Sequence, residues 1–393
     1  MLETWRWFGP LDDIRLDEIR QTGTAGIVTA LHEIPYGEVW PVEAIETRQR
    51  IIAEQGLVWS VVESLPAHER IKLGEGPLEP LFETYRQSLR NLAACGIHTV
   101  CYNFMPVIDW TRTDLGHALP NGARALRFDA VKFAAFDVLM LKRPHAEAAH
   151  YPETLAKARD WYGAAEPADR DGLLAAIMAG LPGAYDRYDI AGLTAMLARY
   201  DDVGADGLKA NLKRFLEAVV PTAAEVGIRL CIHPDDPPRP LMGLPRIVSN
   251  RADLAFIVEA VPSPANGITF CTGSLGAGVD NDVPAMAQEF APHVAFAHLR
   301  NVAKEADGSF HEADHLGGDV DMVAVIAALL AEQTRRASLG DATPIPFRPD
   351  HGHVLLSDAG RKTHPGYTLV GRLRGLAELR GVIAGLSFRG VPA

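Results

Sequence analysis

Short apolar runs, each closing in polar or special residues, alternate along the chain with longer stretches whose apolar positions recur three and four apart. The runs are WRWFG at 5–9, GIVTALH at 26–32, LVWSVVE at 57–63 and HTVCYNF at 98–104. A second group is IRLCIHP at 228–234, GITFCTGS at 267–274, HVAFAHLRN at 293–301 and PIPFRPDHG at 344–352. Most are apolar on both faces, as parallel strands covered by helices are. Helical periodicity fills 42–56, 80–96, 208–227, 252–261, 322–336 and 369–386. Gly56, Gly96 and Gly227 each sit just past such a stretch, where a left-handed C-terminal cap wants glycine. Asp319 or Asp321 caps the helix that follows.

Eight strands alternating with helices and ending on a helix predict one (β/α)8 TIM barrel over 1–393. The alternative, a doubly wound open sheet, normally offers a Gly-rich dinucleotide turn after its first strand. No GxGxxG stands there, and the glycine cluster GSLGAG at 273–278 follows the sixth run instead. The rhythm breaks over about 105–205, which carries Trp110, Trp161, Tyr162, the helical LRFDAVKFAAFDVLML and polar joins such as EPADRDG. This stretch reads as a long helical insertion after strand 4, folded over the catalytic mouth or engaged in subunit contact.

Composition narrows the class. Hydrophobic residues are 48% and charged residues 22% of 393, which suits a globular chain with a large core. The net charge is -12 and no basic stripe is interleaved with aromatics, so nucleic acid is not an expected partner. No apolar run approaches the ~20 residues of a membrane span, and MLETWRWFGP is not a secretory start. Four scattered cysteines do not make a disulfide scaffold, and a cytoplasmic location is expected. The long insertion and many apolar residues suit a homo-oligomer, dimer or higher.

The candidate chemistry lies at the ends of the last four runs. His233 in CIHPDDPP, Cys271 in TFCTGS, His298 in FAHLRN and Asp350 in RPDHGH fall at the carboxyl ends of consecutive strands. Neighbouring strands lie about 4.8 Å apart, so side chains leaving adjacent tops can converge on one metal ion. Imidazole, thiolate and carboxylate all bind divalent transition metals. Each residue alone also fits a structural role, and the weight rests on four at one end. Arg300 and Asn301 follow His298, and Arg348 precedes Asp350. Arginines there suit a substrate carboxylate, and for Arg348 a salt bridge between strand ends fits equally well. His351 and Tyr367 are candidate proton donors or acceptors, or braces for the ligands. His311, Glu312, Asp314 and His315 form a polar cluster after the seventh run, best read as a solvated loop.

At these residues the sequence resembles the mannonate dehydratase family, over nearly its whole length. The likeness is carried by TWRWFGP, TALHEIPYGEVW, VVESLPAHERIKLG, YNFMPVIDWTRT, CIHPDDPP, FCTGS, HLRN, RPDHGH and PGYTLVGRLRGLAELRG, in that order. It implies a β/α barrel using Mn²⁺ or Fe²⁺ to remove water from D-mannonate, giving 2-dehydro-3-deoxy-D-gluconate in hexuronate (glucuronate) breakdown. Carried over, it implies the metal ligands His233, Cys271, His298 and Asp350, with His351 and Tyr367 beside the reacting carbons. The residues themselves leave open which of those two is base, and whether the ion is Mn²⁺ or Fe²⁺. The competing readings are a ketol isomerase or epimerase on the same barrel, and a non-catalytic sugar-acid binder with a structural metal. A thiolate among the ligands argues against the first, and adjacent proton donors against the second.

Overall fold

The computed structural model describes residues 1–180 and 188–388. Its strands are β1 (Leu2–Arg6), β2 (Gly26–Thr29), β3 (Val58–Glu63), β4 (Thr99–Tyr102), β5 (Asp114–Ala118) and β6 (Arg124–Phe128). They continue with β7 (Arg229–Ile232), β8 (Asn266–Cys271), β9 (Val294–His298), β10 (Asn301–Lys304), β11 (Phe310–Ala313) and β12 (Pro346–Arg348). Eight of them close a parallel barrel in the order β1-β12-β9-β8-β7-β4-β3-β2. This is the TIM-barrel architecture that the eight apolar runs predict. Each run forms its strand with shifted ends: the first covers Leu2–Arg6 rather than 5–9.

The cause of the strand–helix alternation is burial. Ile27, Val62, Val100, Leu230, Phe270 and Phe347 are fully enclosed between barrel and helices, in one continuous apolar cluster. Gly56, Gly96 and Gly227 all take positive φ, between 72° and 77°, as helix-ending glycines do. Asp321, not Asp319, caps Met322–Ser338 by accepting from the Ala324 amide. Asp319 instead accepts from the Lys304 amide. No helix among the described residues is long and apolar enough to cross a membrane.

The stretch after β4 is not wholly helical. It contains helices Pro152–Ala164, Pro167–Ile177 and Ile190–Ala198, and also the antiparallel pair β5–β6. β6 pairs with β11, so a second sheet runs β10-β11-β6-β5 beside the barrel mouth. The helix expected over LRFDAVKFAAFDVLML begins only at Asp129, whose carboxylate accepts from the Val131 and Lys132 amides. The preceding residues stay in β6, with Phe128 stacked on Phe310 of β11 at 5.6 Å between centroids. Those two rings, with Phe133, Phe136, Leu193 and Leu241, centre a second apolar cluster under the insertion.

The last helix, Leu369–Ser387, packs its first turn against the segment that follows β12. A Cβ on Gly371 would collide with the His353 carbonyl, whereas one on Gly381 would meet nothing within 4 Å. Gly371→Ala should therefore destabilise the protein by about 1–3 kcal/mol. Gly381→Ala should be neutral or stabilise it by up to about 1 kcal/mol. Urea denaturation of both variants checks this, and equal tolerance of the two would refute the close approach.

Candidate functional site

The residues that matter leave the strands at one end, because a parallel barrel points every strand's carboxyl terminus the same way. Cys271 ends β8, His298 ends β9, and the two are register partners. Arg348 ends β12 and is the partner of His298 on the other side. His233 follows β7, its amide donating to the Tyr102 carbonyl at 2.7 Å. The ligand atoms of His233, Cys271 and His298 all lie within 4.8 Å of one another. A cleft opens above, walled by His233, Asp236, Arg300, Asp350, His351, Tyr367 and others. Cys271 and His298 lie fully buried beneath it.

The proton of His233 can be assigned from its neighbours. His233 Nδ1 is 2.7 Å from the Pro234 carbonyl, which can only accept, so Nδ1 carries the hydrogen and Nε2 a lone pair. His298 turns Nε2 toward the Glu63 carboxylate at 3.5 Å, a long electrostatic contact rather than a formed hydrogen bond. Its Nδ1 faces Arg348 Nη2 at 3.4 Å and His233 Nε2 at 3.1 Å. His298 Nδ1 and His233 Nε2 thus meet at 3.1 Å, a spacing that a proton on His298 Nδ1 or a bound cation would bridge. A tetrahedral ion bound about 2.0–2.1 Å from each nitrogen would separate them by roughly 3.3 Å. The donor set and its spacing therefore fit a metal ion. Cys271 Sγ accepts from Ser274 Oγ at 3.1 Å, which keeps the sulfur oriented.

Asp350 stands at the rim of this triad. Its Oδ2 is 3.7 Å from Cys271 Sγ and 3.8 Å from His298 Nδ1, but the carboxylate is held by arginines. Arg300 Nε donates to it at 2.6 Å and Arg348 Nη1 also donates. Asp350 has a φ of 60°, a left-handed conformation that few non-glycine residues adopt.

Asp350 belongs to a chain of buried ion pairs across the mouth. Arg6 meets Glu63, which binds Arg348 at 2.8 Å; Arg348 binds Asp350; and Asp350 binds Arg300. Arg300 also binds Glu312 at 2.8 Å and Asp236 at 2.6 Å, and Arg112 from the insertion bonds both of those acids. All eight residues are at most 3% exposed. Burial alone would raise these carboxyl pKa values. The surrounding cations reverse it, so Glu63 and Asp350 are held well below the usual range, and Glu312 and Asp236 are lowered. For Glu312 the chief opposing charge is the Arg300 guanidinium.

The candidates from sequence are therefore placed unequally. His233, Cys271 and His298 converge, Asp350 adjoins them, and His351 and Tyr367 pack edge to face on the cleft wall at 5.1 Å between centroids. Every nitrogen of Arg300 and of Arg348 is already engaged by protein groups; Arg348 forms the strand-end salt bridge. Asn301 lies outside the cleft walls. Its amide donates to the His315 and Val320 carbonyls and accepts from Val302 and Val320, clamping a loop. Glu312, read from sequence as a loop residue, is instead buried and accepts from His351 Nδ1 at 3.0 Å. Glu63, Asp236 and Arg112 escape sequence reasoning altogether, although Glu63 shares the signal that marked the others, a polar residue closing an apolar strand.

A depressed carboxylate contributes stability that is full above its unfolded pKa, about 4.3 for Glu, and is lost as pH falls toward the folded value. Glu312→Gln should cost about 3–5 kcal/mol at pH 7, because it leaves Arg300 and Arg112 poorly paired. That difference should narrow between about pH 5 and pH 3. Urea titrations of the metal-free proteins across this range check the sign, and a gap that widens in acid would refute it.

Residues 1–389 match the family model of D-mannonate dehydratase (UxuA). A mannonate dehydratase from Chromohalobacter salexigens is 58% identical over 383 residues, covering 97% of this chain and 98% of that one. One from Marinomonas sp. is 53% identical over 387 residues, covering 98% and 99%. The crystal structure of mannonate dehydratase from Streptococcus suis serotype 2 superposes with a TM-score of 0.78 at 34% identity, covering 98% of this chain and 95% of that one. The barrel, the convergent donors at its mouth and the match along the whole length lead to one conclusion: the chain belongs to the D-mannonate dehydratase family.

Proposed function

We propose that this chain removes water from D-mannonate to give 2-dehydro-3-deoxy-D-gluconate. It would hold Mn²⁺ or Fe²⁺ on His233, Cys271 and His298, with Asp350 beside them. The observation that carries the reading is the convergence of two facing imidazole nitrogens and a thiol under a cleft walled by His351 and Tyr367. When bound, a divalent ion supplies a cation for the substrate carboxylate and the charge that develops next to it.

The reaction takes the proton from C2, next to an ionised carboxylate, and expels the hydroxyl on C3. His351 suits the first step. Glu312 is ionised and accepts from Nδ1, so that nitrogen carries the hydrogen and Nε2 keeps a lone pair free to take the C2 proton. The electron pair of the broken C–H bond then forms the enediolate. Tyr367 suits the second step. Burial pushes its phenol up, more than Arg348 lowers it, so it stays protonated and can donate. It gives that proton to the C3 hydroxyl as the C–O bond breaks and water leaves, and the enol product then ketonises. Arg300 and Arg348 fix the acids around the cleft. Water is kept out by the burial of the network and by Trp110, whose ring sits 6.0 Å from His351.

Anaerobic incubation with D-mannonate and Mn²⁺ or Fe²⁺ should yield a 2-keto acid, detected with semicarbazide. The yield should vanish on chelation, return on adding metal back, and be largely lost in Cys271→Ala. No keto acid with either ion would reject the reading. The two proton-transfer roles separate by isotope exchange. His351→Asn should lose both turnover and C2-deuterium exchange, by about 10²–10⁴-fold. Tyr367→Phe should lose turnover yet retain measurable exchange. The opposite pattern would reverse the roles.

A further inference from the structure

The catalytic residues occupy one half of the barrel mouth, at the ends of β7, β8, β9 and β12. The ends of the other four strands wall a second chamber. Arg6 closes β1, His32 lies just beyond β2, Ser64 follows β3 and Asn103 follows β4. Ser64, Asn103 and Asp109 line both spaces, so the chamber adjoins the cleft.

Two buried polar atoms at this chamber, His32 Nε2 and Arg6 Nε, have no hydrogen-bond partner among the described residues. Buried polar atoms are nearly always paired, so orphans at a chamber wall mark groups completed by water or a ligand. Burial, with Arg6 and Arg48 nearby, holds His32 well below the usual imidazole range. Its ring is therefore neutral, with one nitrogen donating and the other accepting. The cations at the wall are committed elsewhere. Arg6 pairs with Glu63, and Lys72 donates to Glu69 and to the Met105 carbonyl. A chamber with neutral donors and acceptors, whose cations are each already ion-paired and whose wall includes the acid Asp109, suits hydroxyl groups better than a second carboxylate. The indole of Trp40 adds an apolar face for C–H bonds.

We infer that this chamber seats the hydroxylated tail of the substrate, carbons 4 to 6, and that His32 is the specificity-determining residue that binds those hydroxyls. The inference rests on the dehydratase reading: an aldonate whose first three carbons occupy the cleft has a tail that must lie beyond it.

The test compares D-mannonate with a four-carbon aldonate of the same configuration at C2 and C3, using the metal-loaded enzyme and its His32→Leu and His32→Gln variants. The selectivity, kcat/KM for the six-carbon acid over that for the four-carbon acid, should fall by about tenfold or more in His32→Leu. His32→Gln, which can donate and accept, should recover most of it. Circular dichroism and bound-metal content verify that the variants are folded and loaded. Parallel loss for both acids, leaving the ratio unchanged, would overturn the assignment while leaving the dehydratase reading intact. A wild type inactive on D-mannonate would overturn both.

Discussion

The alternating chain of four arginines and four carboxylates across the barrel mouth is the constraint on which the site depends. Each of these ions loses several kcal/mol of solvation on burial, and mutual attraction offsets that only when the geometry is tight. The depressed carboxyl groups of Glu63, Asp350 and Glu312 record that tightness. Such a network adds little net stability over an apolar core, but it fixes directions. Glu63 faces His298, Glu312 holds His351, and Asp350 is held next to the thiol. The chain joins ends of β1, β3 and β12 to segments after β7 and β9, so the strands cannot shift without separating charges.

The balance of charge has a chemical consequence. Four guanidinium groups and four carboxylates cancel, so the network neither attracts nor repels an ion by net charge. The charge of a divalent ion would then be met by what remains: the Cys271 thiolate and the carboxylate of an incoming aldonate. A divalent cation, one thiolate and one substrate carboxylate also sum to zero. Had Asp350 been unpaired, the ion would be neutralised before substrate arrived, and less attraction would be left for the acid. The arginines that sequence reasoning assigned to substrate are instead engaged by the protein's own carboxylates.

The barrel and the convergence of His233, Cys271 and His298 were legible because both are local signals. A run of apolar residues ending in His, Cys or Arg needs no distant partner to be noticed, and four such endings in sequence point to one face. What was not legible depends on pairing across long separations. β5 and β6 carry weak alternation in DLGHA and RALRF, and they are completed as a sheet by β11, some 180 residues away. That same sheet brings Glu312 over the mouth and turns a polar loop segment into the acid that orients His351. Asn301 misled for a related reason. Its position three residues past His298, the end of β9, suggested the cleft, yet β10 leaves the barrel there and turns the amide to a loop.

Arg112 extends the same logic to the insertion. It sits between β4 and β5, fully enclosed, over the Phe310 ring at 4.9 Å, and its guanidinium forks onto Asp236 and reaches Glu312. Lifting this segment away would leave two buried acids, Asp236 and Glu312, short of a counter-charge, and Glu312 is the acceptor for His351 Nδ1. The insertion is therefore coupled to His351 by electrostatics. Its attachment at this point is an ion pair inside the site rather than a surface contact, so substitutions in the insertion should be felt in the chemistry before they are felt in the fold.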